Sequence, residues 1–212
     1  MRKSAIILAG GLSKRLGPNK GLITLAGKPL LTHVVDKISG VVDEIVVVVS
    51  SESQKRIIED LVKRKARVTV DRDEAQSPLV GALAGFENIR GEYSLLLSCD
   101  SPFVSSQIAS LLLDLCVNRS AVIPRWPNGF IEPLRAAYHT RYTQIAAEKT
   151  LENGKMDLQS MITLLRGVRY VSTMVLQQID PMLLTFFNVN TPNDLKKAKS
   201  IMKSTSKTPV YS

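Results

Sequence analysis

Short apolar runs of strand length alternate along this chain with longer stretches in which apolar residues recur at helical spacing. The runs that predict the first four strands are Ser4–Leu8, Glu44–Val49, Arg67–Val70 and Ser94–Leu97. Apolar residues three and four positions apart predict the helices that follow, around Leu30–Ile38, Ile57–Val62, Leu79–Asn88 and Ile108–Leu115, with Ser53 and Ser105 as N-caps of the second and fourth. This alternation favours a mostly parallel sheet with helices on both faces.

The pattern changes at Ala121, where a turn-rich segment, Trp126–Gly129, separates two further apolar runs. These runs, Ala121–Pro124 and Ile131–Ala137, predict a strand pair that adds an antiparallel element to one edge of the sheet. Residues 157–165 have helical character, and Phe186–Val189 predicts a last strand.

The final helix has a clear start in the sequence. Thr191 is a good N-cap, Pro192 suits the first helical position, and Asp194 stands three residues after the cap. A chain of 212 residues, 44% of them hydrophobic, is long enough for one sizeable core and short for two. We therefore expect a single domain over residues 1–203 and a flexible tail over 204–212.

Several function classes are disfavoured by what the sequence lacks. No apolar run approaches the roughly 18–20 residues of a membrane-spanning helix, and a Gly-Gly turn interrupts the apolar stretch after Leu8, unlike a secretory signal. Two cysteines, Cys99 and Cys116, cannot form a disulfide framework, and two histidines add no spaced zinc motif. We therefore expect a cytoplasmic protein, in which Cys99 is a small buried residue rather than a nucleophile.

The formal net charge of +9 has two explanations: a nucleic-acid surface or a pocket for anionic small molecules. Aromatic residues that would stack on bases make up only 5% of the chain, and no block of five or more like charges occurs. Both observations disfavour a nucleic-acid-binding module.

The most informative motif directly follows the first predicted strand and reads Leu8-Ala9-Gly10-Gly11-Leu12-Ser13-Lys14-Arg15-Leu16-Gly17-Pro18-Asn19-Lys20. The adjacent glycines Gly10 and Gly11 let the backbone turn sharply and bring its N–H groups close to a ligand, at the edge where open α/β sheets bind ligands. Arg15 suits bidentate phosphate contacts, and Lys20 acts as a point charge. The ordinary alternative is a solvated basic loop with turn glycines.

The spacing within this loop excludes three familiar motifs. A P-loop fails because Pro18 follows Gly17 where a lysine is required, and the dinucleotide fingerprint G-x-G-x-x-G is absent. Arg15 stands where a nucleophile elbow, G-x-S-x-G, needs its second glycine. P-loop kinases, nicotinamide dehydrogenases and α/β-hydrolases are thereby disfavoured.

Carboxylates follow two of the predicted strands. Asp100, after the fourth strand, can hold Mg²⁺ against phosphate oxygens, since Ser105 is better placed to cap the next helix. Asn190 either completes an oxygen ligand set for the same metal or is only a turn residue. Asp71 can accept two N–H bonds from a guanine edge, with Gly81 leaving room for a base, or it is an exposed acidic turn.

Taken together and in this order, these motifs resemble the molybdenum cofactor guanylyltransferase family of MobA-like nucleotidyltransferases. The resemblance spans almost the whole chain, in the blocks Leu8-Ala9-Gly10-Gly11, Gly27-Lys28-Pro29-Leu30, Pro78-Leu79-Val80-Gly81, Cys99-Asp100-Ser101-Pro102 and Asn188-Val189-Asn190-Thr191-Pro192. The first block marks only the wider nucleotidyltransferase superfamily, and the last three are more specific.

The resemblance implies a three-layer α/β/α Rossmann-like nucleotidyltransferase fold of the glycosyltransferase-A type. It implies Mg²⁺-dependent transfer of GMP from GTP to the terminal phosphate of a molybdopterin-type molybdenum cofactor, with release of pyrophosphate. The residues it implies in nucleotide binding are Leu8, Ala9, Gly10, Lys20, Asp71 and Asp100, with Asp100 also on the metal. Arg15, Lys20 and Asp100 are the expected catalytic residues, because the reaction joins two anions and needs no strong base.

Two alternatives stay open beside this interpretation. The same chemistry suits a guanylyl- or cytidylyltransferase for another phosphorylated acceptor, such as cobinamide phosphate, phospholactate or a sugar phosphate. A regulatory protein that lost catalysis is disfavoured because Arg15, Lys20 and Asp100 are all present. The expected partners are GTP, the molybdopterin-type cofactor, and cofactor-delivery proteins or molybdoenzyme chaperones, with no nucleic acid and no membrane.

Overall fold

The computed structural model describes residues 1–10, 19–71 and 77–205, in which strands and helices alternate as the hydrophobic pattern predicts. The strands are β1 (Lys3–Leu8), β2 (Thr24–Leu25), β3 (Lys28–Pro29), β4 (Glu44–Val49), β5 (Arg67–Val70), β6 (Tyr93–Ser98), β7 (Ala121–Arg125), β8 (Arg135–His139) and β9 (Val168–Ser172). The helices are α1 (Leu30–Ile38), α2 (Glu52–Val62), α3 (Pro78–Asn88), α4 (Ser106–Leu115), α5 (Thr140–Glu152), α6 (Leu158–Leu164), α7 (Thr173–Leu176) and α8 (Pro192–Thr205). Short 3₁₀ turns cover Lys20–Leu22, Lys63–Lys65 and Leu184–Phe186.

Seven of the described strands form one sheet in the order β5-β4-β1-β6-β8-β7-β9, and β2 and β3 form a separate antiparallel pair. The first four strands of that order are parallel, so that Ile6 of β1 lies opposite Val46 of β4 and Leu96 of β6. β8 runs antiparallel to both β6 and β7, and β9 is parallel to β7. The predicted strand pair is β7 and β8, which are antiparallel to each other. The pair does not form the edge of the sheet, because β9 extends the sheet beyond β7.

Helices cover both faces of the sheet because its central strands are apolar on both faces. Successive residues of β1 illustrate this: Ile7 packs with residues of α1, α2 and α4, whereas Ile6 packs with residues of α3, α5 and α6. Both isoleucines are fully buried. The prediction of a three-layer α/β/α, Rossmann-like architecture with a mostly parallel sheet is confirmed.

Serine residues cap the starts of α2 and α4. Ser105 caps α4, as predicted, by accepting a hydrogen bond from the Ile108 N–H at 3.3 Å. The cap predicted at Ser53 is wrong, because the extended residue before α2 is Ser51, whose hydroxyl accepts from the Gln54 N–H. Ser53 therefore lies inside the first turn.

At the start of α8, the predicted capping box is confirmed in both directions. The Asp194 N–H donates to Thr191 Oγ1 at 3.1 Å, and the Thr191 N–H donates to Asp194 Oδ2 at 2.9 Å. These bonds satisfy backbone donors at the helix start, and the Thr191 hydroxyl bond holds the pKa of Asp194 below its ordinary value.

Three parts of the second half differ from the sequence prediction. Phe186–Val189 is not a strand, because it crosses the end of β6 and makes a backbone bond from the Val189 N–H to the Asp100 carbonyl. Helix α5 gave no apolar signal because its buried face consists of small residues such as Thr143, Ala146 and Ala147. The hydrophobic pattern did not predict strand β9, because most of its residues are exposed at the sheet edge.

Across residues 1–10, 19–71 and 77–205, none of the helices combines the length and the apolar character needed to cross a bilayer. The predicted tail begins too early, because Ser204 and Thr205 are the last residues of α8, and residues 206–212 lie outside the described part of the chain. The flexible tail therefore stays a prediction.

Candidate nucleotide site

The predicted nucleotide-binding residues meet at one edge of the sheet. β1, β4, β5 and β6 are parallel, so their carboxyl ends lie side by side. The ladder continues past the strands: the Ala9 N–H donates to the Val48 carbonyl at 2.8 Å, and the Cys99 N–H donates to the Leu8 carbonyl at 3.0 Å. This carboxyl edge therefore carries both the start of the glycine loop and the turn with Asp100.

Gly10 sits where no other residue fits. A Cβ atom at this position would lie 2.7 Å from the Ser50 backbone nitrogen, closer than real Cβ contacts occur. The Ser50 hydroxyl donates to the Gly10 carbonyl at 2.8 Å, and the Gln54 amide of α2 donates to Asn19 Oδ1 at 2.9 Å. Both stems of the glycine loop are thus tied to the turn between β4 and α2.

Two of the predicted site residues, Gly11 and Arg15, lie outside the described residues, as does the rest of the loop over 11–18. Their predicted contacts with phosphate stay predictions. The described stems nevertheless fix where this loop leaves and rejoins the fold, which is the carboxyl edge of the sheet.

Lys20, Asp100 and Asn190 converge at this edge from three distant parts of the sequence. The Lys20 ammonium donates to Asp100 Oδ2 and to Asn190 Oδ1. The Lys20 and Asp100 side chains are 15% and 9% exposed, so the ion pair is largely shielded from water. A single ammonium group therefore gathers a carboxylate and an amide oxygen around itself.

Local structure explains how Asn190 reaches this position. Val189 is fully buried in a small cluster with Leu25, Leu30 and Ala198, and its N–H donates to the Asp100 carbonyl at 3.0 Å. The residue after it is thereby held beside the Asp100 turn. The sequence singled out Asn190, but its neighbour Asn188 was missed.

The described residues of the site also include a buried arginine that sequence reasoning missed. Arg135, the first residue of β8, is only 5% exposed. Its guanidinium donates to Ser101 Oγ at 3.0 Å, to Glu132 Oε2 at 2.7 Å and to Asn188 Oδ1. The hydrophobic pattern gave no sign of it, because an arginine that begins a short strand is usually expected at the surface.

Leu8, Asp71 and Gly81 surround one space on the α3 side of the edge. A Cβ atom built on Gly81 would lie 3.4 Å from Leu8 Cδ2 and 3.7 Å from Asp71 Oδ2. Gly81 lies in the first turn of α3, which Ser77 caps by accepting from the Val80 N–H at 3.2 Å. The structure therefore brings these three predicted nucleotide-binding residues together.

Cys99 lies in the interior behind this edge. Burial, and secondarily the charge of Asp100, raise the pKa of the Cys99 thiol to about 12. A thiol that stays protonated at neutral pH is not a nucleophile. The prediction that Cys99 is a small buried residue is confirmed.

The oxygen atoms of Asp100 and Asn190 suit a hard cation such as Mg²⁺ better than zinc or copper. Among the described residues, no group of three His, Cys, Asp or Glu side chains forms a metal cluster. Mg²⁺ does not need one, since it commonly takes one or two carboxylates and completes its shell with water and substrate phosphates. The donor set therefore fits Mg²⁺ held together with a phosphorylated ligand.

Comparison with known proteins agrees with this geometry. Residues 5–168 match the family model of the MobA-like NTP transferase domain. The chain is 34% identical to the probable molybdenum cofactor guanylyltransferase of Methanosarcina acetivorans, over 92% of this chain and 88% of that protein. It is 31% identical to the molybdenum cofactor guanylyltransferase of Desulfosudis oleivorans, over 95% and 96% of the two chains.

Among solved structures, the fold is similar to molybdopterin-guanine dinucleotide biosynthesis protein A of Archaeoglobus fulgidus. The TM-score is 0.81 at 26% sequence identity, and the match covers 95% of this chain and 99% of the other. The similarity therefore extends over the whole sheet and its helices.

Proposed function

The chain belongs to the molybdenum cofactor guanylyltransferase family, and we propose that it transfers GMP from GTP to the terminal phosphate of a molybdopterin-type cofactor, releasing pyrophosphate. The observation that carries the proposal is the convergence of Lys20, Asp100 and Asn190 beside the stems of the glycine loop. This arrangement supports phosphoryl chemistry, because it places positive charge and hard oxygen ligands at the edge where such sheets bind nucleotides.

The acceptor phosphate is already an anion, so the reaction needs no strong general base. The barrier lies in bringing this anion to the negatively charged α-phosphate, in line with the leaving pyrophosphate. In the proposal, Lys20, Arg15 and the N–H groups of Gly10 and Gly11 supply the positive charge that lowers this barrier.

Asp100 and Asn190 would hold Mg²⁺ through the oxygens that now face Lys20. When bound, Mg²⁺ neutralises phosphate charge and the charge that builds on the leaving group. Lys20 competes for the same two oxygens, and once it leaves them its flexible stem carries the ammonium to a phosphate oxygen. The lysine thus keeps the oxygen pair assembled before nucleotide binds.

Base recognition is assigned to the space between Leu8, Asp71 and Gly81. The Asp71 carboxylate can accept two N–H bonds from the guanine edge, and the base can approach the α3 backbone at Gly81, which has no side chain. The acceptor is assigned to the loop between β7 and β8, because β7 ends and β8 begins at the same edge of the sheet as Asp100.

The reaction is tested by pyrophosphate release with GTP, ATP, CTP or UTP as donor and the molybdenum-loaded cofactor as acceptor. We expect release with GTP, Mg²⁺ and the cofactor together. Release that requires CTP, or that proceeds only with cobinamide phosphate, phospholactate or a sugar phosphate, would replace the proposal by one of the alternative transferases.

The assignment of Lys20 has a separate test. Lys20→Ala is expected to weaken GTP binding more than guanosine binding, because only GTP carries the phosphates that the ammonium would contact. Lys37→Ala, which removes an exposed lysine of α1, serves as the matched control. Equal losses for GTP and guanosine would show that Lys20 does not contact phosphate.

A cytoplasmic location and transfer of the product through delivery proteins or molybdoenzyme chaperones belong to the same proposal. The net charge of +9 supports the two proposed substrates, since both are polyanions.

A further inference from the structure

A series of buried polar contacts leads away from Asp100, and the proposed chemistry does not use it. The Ser101 hydroxyl lies 3.4 Å from Asp100 Oδ1 and donates to Asn188 Oδ1 at 3.1 Å. Arg135 donates to both Ser101 and Asn188. The Asp100 turn and the segment that ends at Asn190 are therefore joined through one guanidinium group.

The same guanidinium reaches the loop between β7 and β8. Its other terminal nitrogen donates to Glu132 Oε2 at 2.7 Å, and the second oxygen of Glu132 accepts from the Trp126 indole N–H at 2.8 Å. The Trp126 ring packs edge-to-face on Phe186, with centroids 5.6 Å apart. Phe186 stands two residues before Asn188, so the contacts form a closed circuit that runs from Asn188 through Arg135, Glu132 and Trp126 to Phe186 and back along the chain.

The burial of Arg135 is costly for the fold. Its Nε atom is buried and has no hydrogen-bond partner among the described residues, and a buried donor left unpaired lowers stability. Buried ion pairs can often be replaced by apolar residues with little loss of stability. Stability alone therefore does not account for an arginine here, whereas the need to hold three separate segments in fixed positions does.

We propose that Arg135 is a positioning residue that holds the Asn188–Asn190 segment against Asp100 and couples this oxygen pair to the position of Trp126. Occupation of the oxygen pair by Mg²⁺ and GTP then alters the surroundings of Trp126, and the loop between β7 and β8 responds to the nucleotide. The identity of this ligand rests on the proposed function. The coupling itself rests only on the contacts.

Trp126 is the only tryptophan of the chain, so its fluorescence reports on this loop alone. Wild-type protein is titrated with GTP and Mg²⁺ while calorimetry measures binding independently. We expect a saturable change in Trp126 emission in the wild type. In Arg135→Met we expect that change to be lost, and the Mg²⁺ concentration for half-maximal GTP binding to rise about 10- to 100-fold.

A second variant separates positioning from folding. Glu132→Ala cuts the circuit between Arg135 and Trp126 but leaves the contacts of Arg135 with Ser101 and Asn188. It is expected to lose the emission change while its Mg²⁺ requirement stays within about threefold of wild type, in contrast to Arg135→Met. Arg135→Lys is expected to restore part of the response, because lysine can donate to one of the partners but not to all. Arg119→Met, at an exposed arginine, is the control.

A ligand-free measurement keeps the inference testable if GTP does not bind. Ser101→Ala is expected to shift Trp126 emission in the wild-type background and to have no effect in Arg135→Met. Wild-type protein that binds no GTP by calorimetry contradicts the proposed function, and this pair of variants then decides the inference. Emission changes that persist in Arg135→Met, or variants that lose binding and cooperative unfolding alike, would overturn it.

Discussion

The two edges of the sheet both gather charged side chains, but they satisfy them differently. At the amino edge, Glu44 accepts from the Ser4 hydroxyl at 2.8 Å, from the Gly91 N–H at 3.1 Å and from Arg67 at 3.0 Å. At the carboxyl edge, Asp100 and Asn190 share the ammonium of Lys20. One carboxylate is held largely by fixed backbone and short side-chain donors, the other by a cation on a long flexible stem.

At the amino edge, Gly91 packs closely against Ser4 and Thr140. A Cβ atom on Gly91 would lie 2.8 Å from the Ser4 backbone nitrogen, and the Thr140 hydroxyl donates to the Gly91 carbonyl at 2.7 Å. Partial burial works to raise the pKa of Glu44, but the Arg90 N–H, Ser4 and Arg67 bring it below its ordinary value. These donors are held in place by the fold and occupy the Glu44 carboxylate oxygens.

This difference is consistent with a carboxylate that stabilises the fold at the amino edge and, in the proposed function, one that binds a ligand at the carboxyl edge. Backbone donors stay where folding puts them, so their partner stabilises the native state. An ammonium on four methylenes can leave its partner when a stronger ligand arrives, so its partner remains available. Substitutions at each edge should therefore separate a loss of turnover from a loss of stability.

The largest effect is expected at the carboxyl edge. Asp100→Asn should lower Mg²⁺-dependent turnover by about 100-fold or more, because the amide removes the charge that holds the metal and Lys20. Circular dichroism should show an unchanged fold. Asp114→Asn, which changes an exposed carboxylate bound to Lys3, is the control. Near-normal turnover of Asp100→Asn would remove the metal assignment.

Gly81→Ala tests the base site without disturbing the fold. The added methyl group meets Leu8 at an ordinary contact distance of 3.4 Å, and alanine favours a helix over glycine by about 1 kcal/mol. We expect unchanged or higher thermal stability together with about tenfold weaker GTP binding by calorimetry, because the methyl group fills the space assigned to the base. GTP binding as tight as in the wild type would place the base elsewhere.

Glu44→Gln should show the opposite signature at the amino edge. We expect the free energy of unfolding to fall by about 1–3 kcal/mol at pH 7, with turnover unchanged in the folded protein. Because the pKa of Glu44 is lowered in the folded state, its contribution is present above its ordinary pKa and is lost as pH falls through the folded value. Denaturant unfolding at several pH values should therefore show the two proteins converging in acid. A turnover defect without loss of stability would contradict the distinction between the edges.

The smallest effect is expected from Thr191→Ala. Thr191 lies at the carboxyl edge, next to Asn190, but its bonds with Asp194 are of the fixed kind. Loss of this cap should cost about 1 kcal/mol in urea unfolding and change the Mg²⁺ requirement by less than about threefold. If the Mg²⁺ requirement of Thr191→Ala rises by more than threefold, the cap itself positions Asn190.

Local and periodic features could be predicted from the sequence. Among the described residues, the first four strands and the caps at Ser105 and Thr191 depend on neighbours a few residues away, so the residues themselves carry the signal. Helix α5 and strand β9 could not be found in the same way, since small buried residues in one and exposed residues in the other conceal the hydrophobic period.

Some contacts of the candidate site could not be predicted from the sequence, because they join segments that are distant along the chain. Lys20 and Asn190 are 170 positions apart, and Arg135 and Asn188 are 53 apart. The sequence indicated Lys20 by its place in the glycine motif, Asp100 by its position after a strand, and Asn190 by its residue type and its place before the last helix. Arg135 carries no such mark, because its partners are defined only when β8, the Asp100 turn and the segment before α8 come together.

Two hydrogen bonds tie the stems of the glycine loop to the turn between β4 and α2. Ser50 holds Gly10 and Gln54 holds Asn19, and neither bond involves residues 11–18. Substitutions within residues 11–18 can therefore leave both stem bonds in place, so that the phosphate contacts proposed for this stretch can change separately from the scaffold. Grafting the loop of a relative with another substrate onto the same two stems is the corresponding engineering route.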